Sequence, residues 1–403
     1  MPRLPQVAAG CFALMLAGLF VLNTHPAVFQ LGLAGFTLAG GVGNPISKPA
    51  NWQMTPVAVG FGALFLLHLV AGVVVAPGNW PSYWRNLQLH LPLIFLPLAF
   101  WAMPPWPAAW VRRLWLLFVG LVVLSSLGST GYYLLHQDAI NLAYTRSQIM
   151  PTRPDYVRFS LMVSLATAYC AVSAWQLPAG SPGRLGLLVA GGWLLFFQYL
   201  LAVRSGLLAT TVLGLLAVAW LIWKPKAYRP AAGLLAVLLL LPLLSYWLVP
   251  TFRYRFHNTT YDVSRTADVR SANNYSMVGR VYSWKVARSV LASHPWVGVG
   301  PANLDTELAA AYRQEYPAIE AAAYLKPHNQ LLYWLVSFGL LGTLVAVAAF
   351  YYPLLRQGRR PPPLLLAQYV ILSLSFLVEP TLETPVGLPF AVLFVLLAGQ
   401  RLE

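Results

Sequence analysis

The chain reads as an all-α protein that crosses a membrane many times. Three observations lead there. Hydrophobic residues fill 58% of its 403 positions and charged residues only 9%, where a soluble domain carries roughly 25% charged residues. The apolar residues fall in runs of span length, about 17–25 residues for a helix crossing a bilayer. The basic residues gather in alternate short segments between those runs, which is the positive-inside bias.

About twelve transmembrane helices are expected, centred near residues 15, 35, 66, 96, 120, 167, 193, 213, 240, 341, 370 and 393. The first, about Val7 to Leu22, follows Arg3 as a signal peptide would. No small-residue cleavage site follows it and further spans do, so it is kept as a helix. The second and fourth are interrupted by Gly or Pro. Leu185 to Trp223 is one apolar run, too long for a single crossing, and Arg204-Ser205-Gly206 at its middle splits it into a tight hairpin. Cys11 and Cys170 lie inside apolar spans and read as small packing residues, not as a disulfide or metal site. The expected organisation is residues 1–250 with helices 1–9, a polar loop over 251–327, and residues 328–403 with helices 10–12.

With the N-terminus in the cytoplasm, the cytoplasmic segments hold twelve bases: Arg3, Lys48, Arg112, Arg113, Arg184, Lys224, Lys226, Arg229, Arg356, Arg359, Arg360 and Arg401. The opposite short loops hold five, Arg85, Arg146, Arg153, Arg158 and Arg204, so the orientation obeys the rule. Ten of the 11 acids, all but Glu403, then fall outside. The net charge of +15 does not indicate nucleic acid, because the bases are scattered along short loops instead of collected on one face. No internal repeat is evident, which argues against the inverted-repeat transporter architecture.

Thr251 to Gln330 is the one long polar interval, and polar chemistry has room there. Within it Gly279 to Ser293 has helical spacing, with Val281, Trp284, Val290 and Leu291 on a shared face and Arg280, Lys285 and Arg288 at polar positions. His294-Pro295 ends that helix, and Gly298-Val299-Gly300-Pro301 is a turn. Asn303 is an expected N-cap for Leu304 to Tyr316. Lys326-Pro327-His328-Asn329 leads into the next span.

His328 is placed at a helix first turn, just after Pro327. The positive end of the helix dipole disfavours imidazolium there, and a neutral imidazole suits a general base. The plainer reading is an interfacial histidine that only caps or hydrogen-bonds. Arg204 is either a snorkelling charge at a hairpin tip or an anion-binding group. Arg280 follows a flexible glycine and is either an anion ligand or a solvated charge. Arg265, Arg288, Asn329, Arg146 and Arg153 are secondary candidates for substrate contacts, and Arg270 is weaker. Asp305-Thr306-Glu307 has an acidic spacing used for metals elsewhere, but residues i and i+2 of a helix do not face together. HExxH, CxxC, Walker and GxSxG patterns do not occur, so no metal or cofactor is expected.

An arginine at a transmembrane hairpin is followed by an outer loop carrying Gly279-Arg280 and Trp284. Then come HPWVGVGPANL from His294 and HNQLLYWLVSFGLLG from His328. Over about Arg204 to Gly342 this order resembles the O-antigen ligase family, within the ligase/polymerase superfamily of bacterial envelope glycosyltransferases. The resemblance implies a GT-C-like enzyme of the bacterial inner membrane, multi-pass, with a periplasmic site and a long, partly helical periplasmic loop between helices 9 and 10. It implies transfer of preassembled O-antigen glycan from undecaprenyl diphosphate to lipid A–core oligosaccharide, among membrane lipids and without nucleic acid. The family's essential histidine falls on His328 and its two essential arginines on Arg204 and Arg280. Guanidinium groups bind phosphate oxygens bidentately and stay charged, so the arginines fit a metal-independent reaction. The neighbouring functions are an O-antigen polymerase, a protein O-oligosaccharyltransferase and, from another class, a lipid-linked sugar or anion transporter. A transporter should carry charges inside its spans, whereas here they collect on one side.

Overall fold

The computed structural model describes residues 4–43, 51–74, 79–224, 227–356, 358 and 361–400. Arg3, Lys48, Lys226, Arg359, Arg360, Arg401 and Glu403, which entered the charge count, lie outside the described residues. Among the described residues the chain is helical, without strands. In order the helices are α1 (Leu4–Val21), α2 (Pro26–Gly43), α3 (Thr55–Val74), α4 (Trp80–His90), α5 (Pro92–Ala102) and α6 (Ala108–Leu135). Then follow α7 (Gln137–Thr145), α8 (Tyr156–Gln176), α9 (Pro182–Leu201), α10 (Arg204–Ile222), α11 (Tyr228–Leu248) and α12 (Pro250–Ser264). The last are α13 (Ser276–Ser293), α14 (Leu304–Glu315), α15 (Gln330–Leu355), α16 (Pro363–Phe376) and α17 (Gly387–Ala398).

All twelve expected centres fall on helices, and the protein is an all-α polytopic membrane protein. Among the described residues 8 helices are long and apolar enough to cross a bilayer: α1, α3, α6, α8, α9, α10, α11 and α15. The other four expected spans are shorter. The apolar helices α2, α16 and α17 fall below span length, and α5 has 11 residues with Pro97 inside. Large apolar side chains such as Leu31, Leu38, Leu124, Leu239 and Leu344 point outward. A surface that apolar needs lipid or protein against it, because water alone does not sustain it.

The chain divides into two compact units. One comprises Met1–Arg112, Tyr261–Leu365 and Ser375–Glu403, and holds α1–α5, α13–α15 and α17. Its centre is the pairing of α3 with α15 and of α13 with α15. α15 is kinked at Gly339, whose φ of 65° and ψ of −171° break the helix. The segment after α13 fills the break. Val299 and Gly300 donate backbone N–H bonds to the carbonyls of Val336 and Ser337 at 2.9 Å, and Leu340 N–H returns one to Pro295 at 2.8 Å. A side chain at Gly339 or Gly298 would collide with the opposite backbone, and both glycines have positive φ. The glycines of the HPWVGVG run and of Ser337-Phe338-Gly339 therefore serve one joint, which satisfies the kink's freed carbonyls.

The other unit comprises Arg113–Thr260 and Leu366–Leu374. Here α8 packs on α9 and α10. Ser164 Oγ lies 2.9 Å from Thr210 Oγ1 and donates to Gly206 O at 3.2 Å, and Gln198 Nε2 donates to Ser160 O at 3.2 Å. A side chain at Gly206 would strike Gln198 and Ser160, so glycine sets how closely these helices approach.

The polar interval opens with α12, a helix of 15 residues, in keeping with the partly helical loop expected there. Two local expectations need correction. α13 starts at Ser276, so Gly279 is buried within it and does not mark its start. Its buried face is Val278, Tyr282, Val286 and Val290, one per helical turn, while Trp284 is exposed. Spacing alone allowed two faces, and packing against the rest of the unit selects this one.

Candidate active site

His328 is not in a helix first turn. Asn329 takes the N-cap of α15, its Oδ1 accepting from Leu332 N–H at 2.9 Å while its Nδ2 donates to Leu377 O at 3.2 Å. Asn side chains are strong N-caps, and this one fixes the helix start at Gln330. His328 stands one residue outside, and Pro327 precedes it in non-helical chain. The dipole argument made for His328 therefore does not apply at this position.

Glu379 takes its place. This buried carboxylate sits in the loop between α16 and α17. Its Oε2 lies 3.1 Å from His328 Nδ1, and its Oε1 accepts from Arg280 Nη2 at 2.6 Å. One carboxylate thus joins two of the three residues singled out in the sequence. A carboxylate on Nδ1 fixes the tautomer with the proton there, so Nε2 carries the lone pair. His328 and Arg280 remain partly exposed, 26% and 22%, so both reach the surrounding space. Arg280 has five N–H donors, and its bond to Glu379 leaves others for an anion.

The Glu379 loop is clamped to the start of α15. Gln330 is buried, its Oε1 accepting from Leu382 N–H at 2.8 Å and its Nε2 donating to Glu383 Oε1 at 3.0 Å. Burial alone pushes the Glu383 carboxyl up, but His90, then His68 and Gln330, outweigh it and hold it down to about 2.

Arg204 belongs to the other unit. It opens α10 and does not sit at a loop tip, because Ala202 in left-handed geometry (φ 52°) and Val203 make the turn. Leu200 and Leu201 carbonyls at the end of α9 are met by Thr251 Oγ1 at 2.6 Å and Tyr144 OH at 2.9 Å, so the hairpin is tied by side chains. Arg204 Nε donates to Thr259 Oγ1 of α12 at 2.9 Å. Beside it is a cavity of about 300 Å³ lined by Arg204, Arg255, Leu207, Phe252, Phe256 and Thr259, among others.

The secondary candidates are spread out. Arg265 is exposed and bonds Tyr261 OH at 2.7 Å. Arg288, Arg146 and Arg153 are exposed. Asn329 is engaged at both ends of its amide, which explains its presence without a substrate. Asp305 is exposed and pairs with Lys326 at 2.9 Å.

Glu379 was missed because an acid in a short loop between the last two spans looks like one more outer charge. Its signal was its position, a lone acid next to Pro380 among apolar helices. Glu383, in the same loop, was likewise counted only as an outer charge.

These elements define a helical membrane protein in which a loop carboxylate couples an arginine to a histidine at the mouth of a long helix. The family model described as O-antigen ligase matches residues 189–347, from within α9 into α15, and covers Arg204, Arg280 and His328. Over this segment the chain is similar to the O-antigen ligase family, of the ligase/polymerase superfamily of membrane glycosyltransferase-like enzymes. No curated protein matches the chain.

If Glu379 orients His328, Glu379→Gln keeps shape and loses the charge. Turnover should fall on the order of 10²-fold or more while donor binding persists. Unchanged turnover in Glu379→Gln would leave the carboxylate as a brace alone.

Proposed function

We propose that this protein is an O-antigen ligase of GT-C type. It transfers preassembled O-antigen glycan from undecaprenyl diphosphate to a sugar hydroxyl of lipid A–core, at the periplasmic face of the bacterial inner membrane. The observation that carries this is the Glu379 carboxylate holding His328 Nδ1 at 3.1 Å and Arg280 at 2.6 Å. His328 Nε2 takes the proton of the acceptor hydroxyl. The hydroxyl oxygen attacks the anomeric carbon of the donor glycan, and the bond to the diphosphate oxygen breaks. Undecaprenyl diphosphate leaves with the electron pair, and the proton passes from His328 to water. The charge developing on the diphosphate needs electrostatic stabilisation more than a general acid, and Arg280 and Arg204 supply it. Glu379 steadies the imidazolium that forms. No step of this chemistry calls on a metal or cofactor.

Two experiments test the reading. Purified protein with lipid-linked glycan should modify lipid A–core in preference to a second glycan or a peptide. Chain extension would make it a polymerase, and peptide modification a protein oligosaccharyltransferase. For orientation, single cysteines at Asp268 and Glu315, in a background lacking Cys11 and Cys170, should label with an impermeant maleimide from the periplasm. One at Gly358 should not. Cytoplasmic labelling at Asp268 would invert the topology and remove the proposed site from its donor.

A further inference from the structure

Three buried side chains that the transfer does not use meet beside the start of α15. His68 on α3, His90 at the end of α4 and Glu383 each offer a ligand atom, and these atoms lie within 4.8 Å of one another. His90 Nδ1 lies 2.8 Å from the backbone carbonyl of Asn86. A carbonyl only accepts, so Nδ1 carries a proton, and in the neutral ring Nε2 presents a lone pair. His68 Nδ1, 3.0 Å from Asn86 Oδ1, has the same tautomer. His90 Nε2 faces Glu383 Oε2 at 3.4 Å, yet neither atom makes a hydrogen bond. His68 Nε2 faces Oε1 at 4.0 Å. All three side chains are at most 4% exposed. Imidazole lone pairs aimed at a carboxylate in a dry interior repel unless a proton or a metal ion lies among them.

The spacing selects the cation. Tetrahedral zinc with bonds of 2.0–2.1 Å sets its ligand atoms about 3.3–3.4 Å apart. The separation of His90 Nε2 from Glu383 Oε2 already meets that, while His68 Nε2 lies 4.0 Å from the other oxygen, Oε1, so the His68 ring must move toward the ion. Two imidazoles with one carboxylate suit zinc-like ions and not magnesium or calcium. Outer partners are in place: Asn86 holds both Nδ1 atoms, and Gln330 holds Glu383. The two rings now stack, centroids 3.6 Å apart and planes 25° from parallel. One ion in the plane of both needs the rings to splay, each turning about its Nδ1 bond. Buried Tyr333 of α15 faces the same carboxylate.

We propose that His68, His90 and Glu383 form a buried site for one divalent cation of the zinc class. The site ties α3 and α4 to the loop that carries Glu379, and its role is structural. The test uses the full chain, tag removed, in detergent and metal-free buffer. It is loaded with Zn²⁺, desalted, counted for zinc, and its Tm recorded, with a parallel Co²⁺ load read by visible absorption. The wild type should retain about one zinc per chain, gain in Tm, and show the intense bands of tetrahedral cobalt. His90→Gln and Glu383→Gln should retain at least ten-fold less, and His294→Gln, an exposed control, should match the wild type. Two results would overturn the site: a wild type with no retained zinc and no Tm gain, so that a proton fills the gap, or undiminished zinc in both variants. Where the variants do not purify, the wild-type cobalt spectrum decides, and its absence or an octahedral form counts against the site. These readouts are metal content and Tm, so they stand or fall apart from the transfer reaction.

Discussion

His328→Ala should lower glycan transfer by about 10²–10⁴-fold, the usual worth of a positioned general base, while binding of the lipid-linked donor persists. His328→Gln is the sharper variant. Its amide still hydrogen-bonds Glu379 but cannot take a proton, so it should be nearly as inactive as alanine. His257, exposed and bonded to Tyr246 OH at 3.3 Å, and His294, exposed at the end of α13, are the internal controls. Their alanine variants should keep most activity. Single-turnover assays separate the chemical step from binding. Wild-type turnover in His328→Gln would make the histidine an acceptor-positioning group.

Arg280→Ala and Arg204→Ala should each cost about 10²–10³-fold or more, the scale of one lost donor to developing charge. They should differ in kind. Arg280 also partners Glu379, so its loss takes a cation from that carboxylate and disturbs both the anion and the base. Arg204, held by Thr259 beside an apolar cavity, should act through the donor, and its loss should also weaken donor binding. Lysine should rescue either position only in part, because a point charge does not reproduce the planar fork. Folded yield, read by size-exclusion profile, should be unchanged. Full activity in Arg204→Ala would leave that residue as a hairpin charge.

The spans were legible because apolar runs of bilayer length have few other uses. Their lengths were less so: α5, with Pro97 inside, reads as a full span in hydropathy but closes after 11 residues. His328 and Arg204 were legible as polar groups at span ends, Arg280 as a loop charge after a glycine, and all three as matches to a motif order. Their coupling was not. Glu379 is remote in sequence from both partners, and only the tie of its loop to the start of α15 brings it to them. His328 was assigned to a helix from Pro327, whereas the stronger capping side chain of Asn329 begins the helix later. The glycines of the HPWVGVG run read as a turn, and their fit against the kink at Gly339 emerges only when both segments are in place. His68, His90 and Glu383 are far apart in the sequence, and only the fold brings them to one interior.

The central claim, that His328 takes the acceptor's proton with Glu379 behind it, is tested most directly by the pH dependence of transfer. The wild-type rate should fall on the acid side of its pH profile, and the residual activity of His328→Gln should show no such limb. An acid limb that persists unchanged in His328→Gln would contradict the account and move the base to another residue.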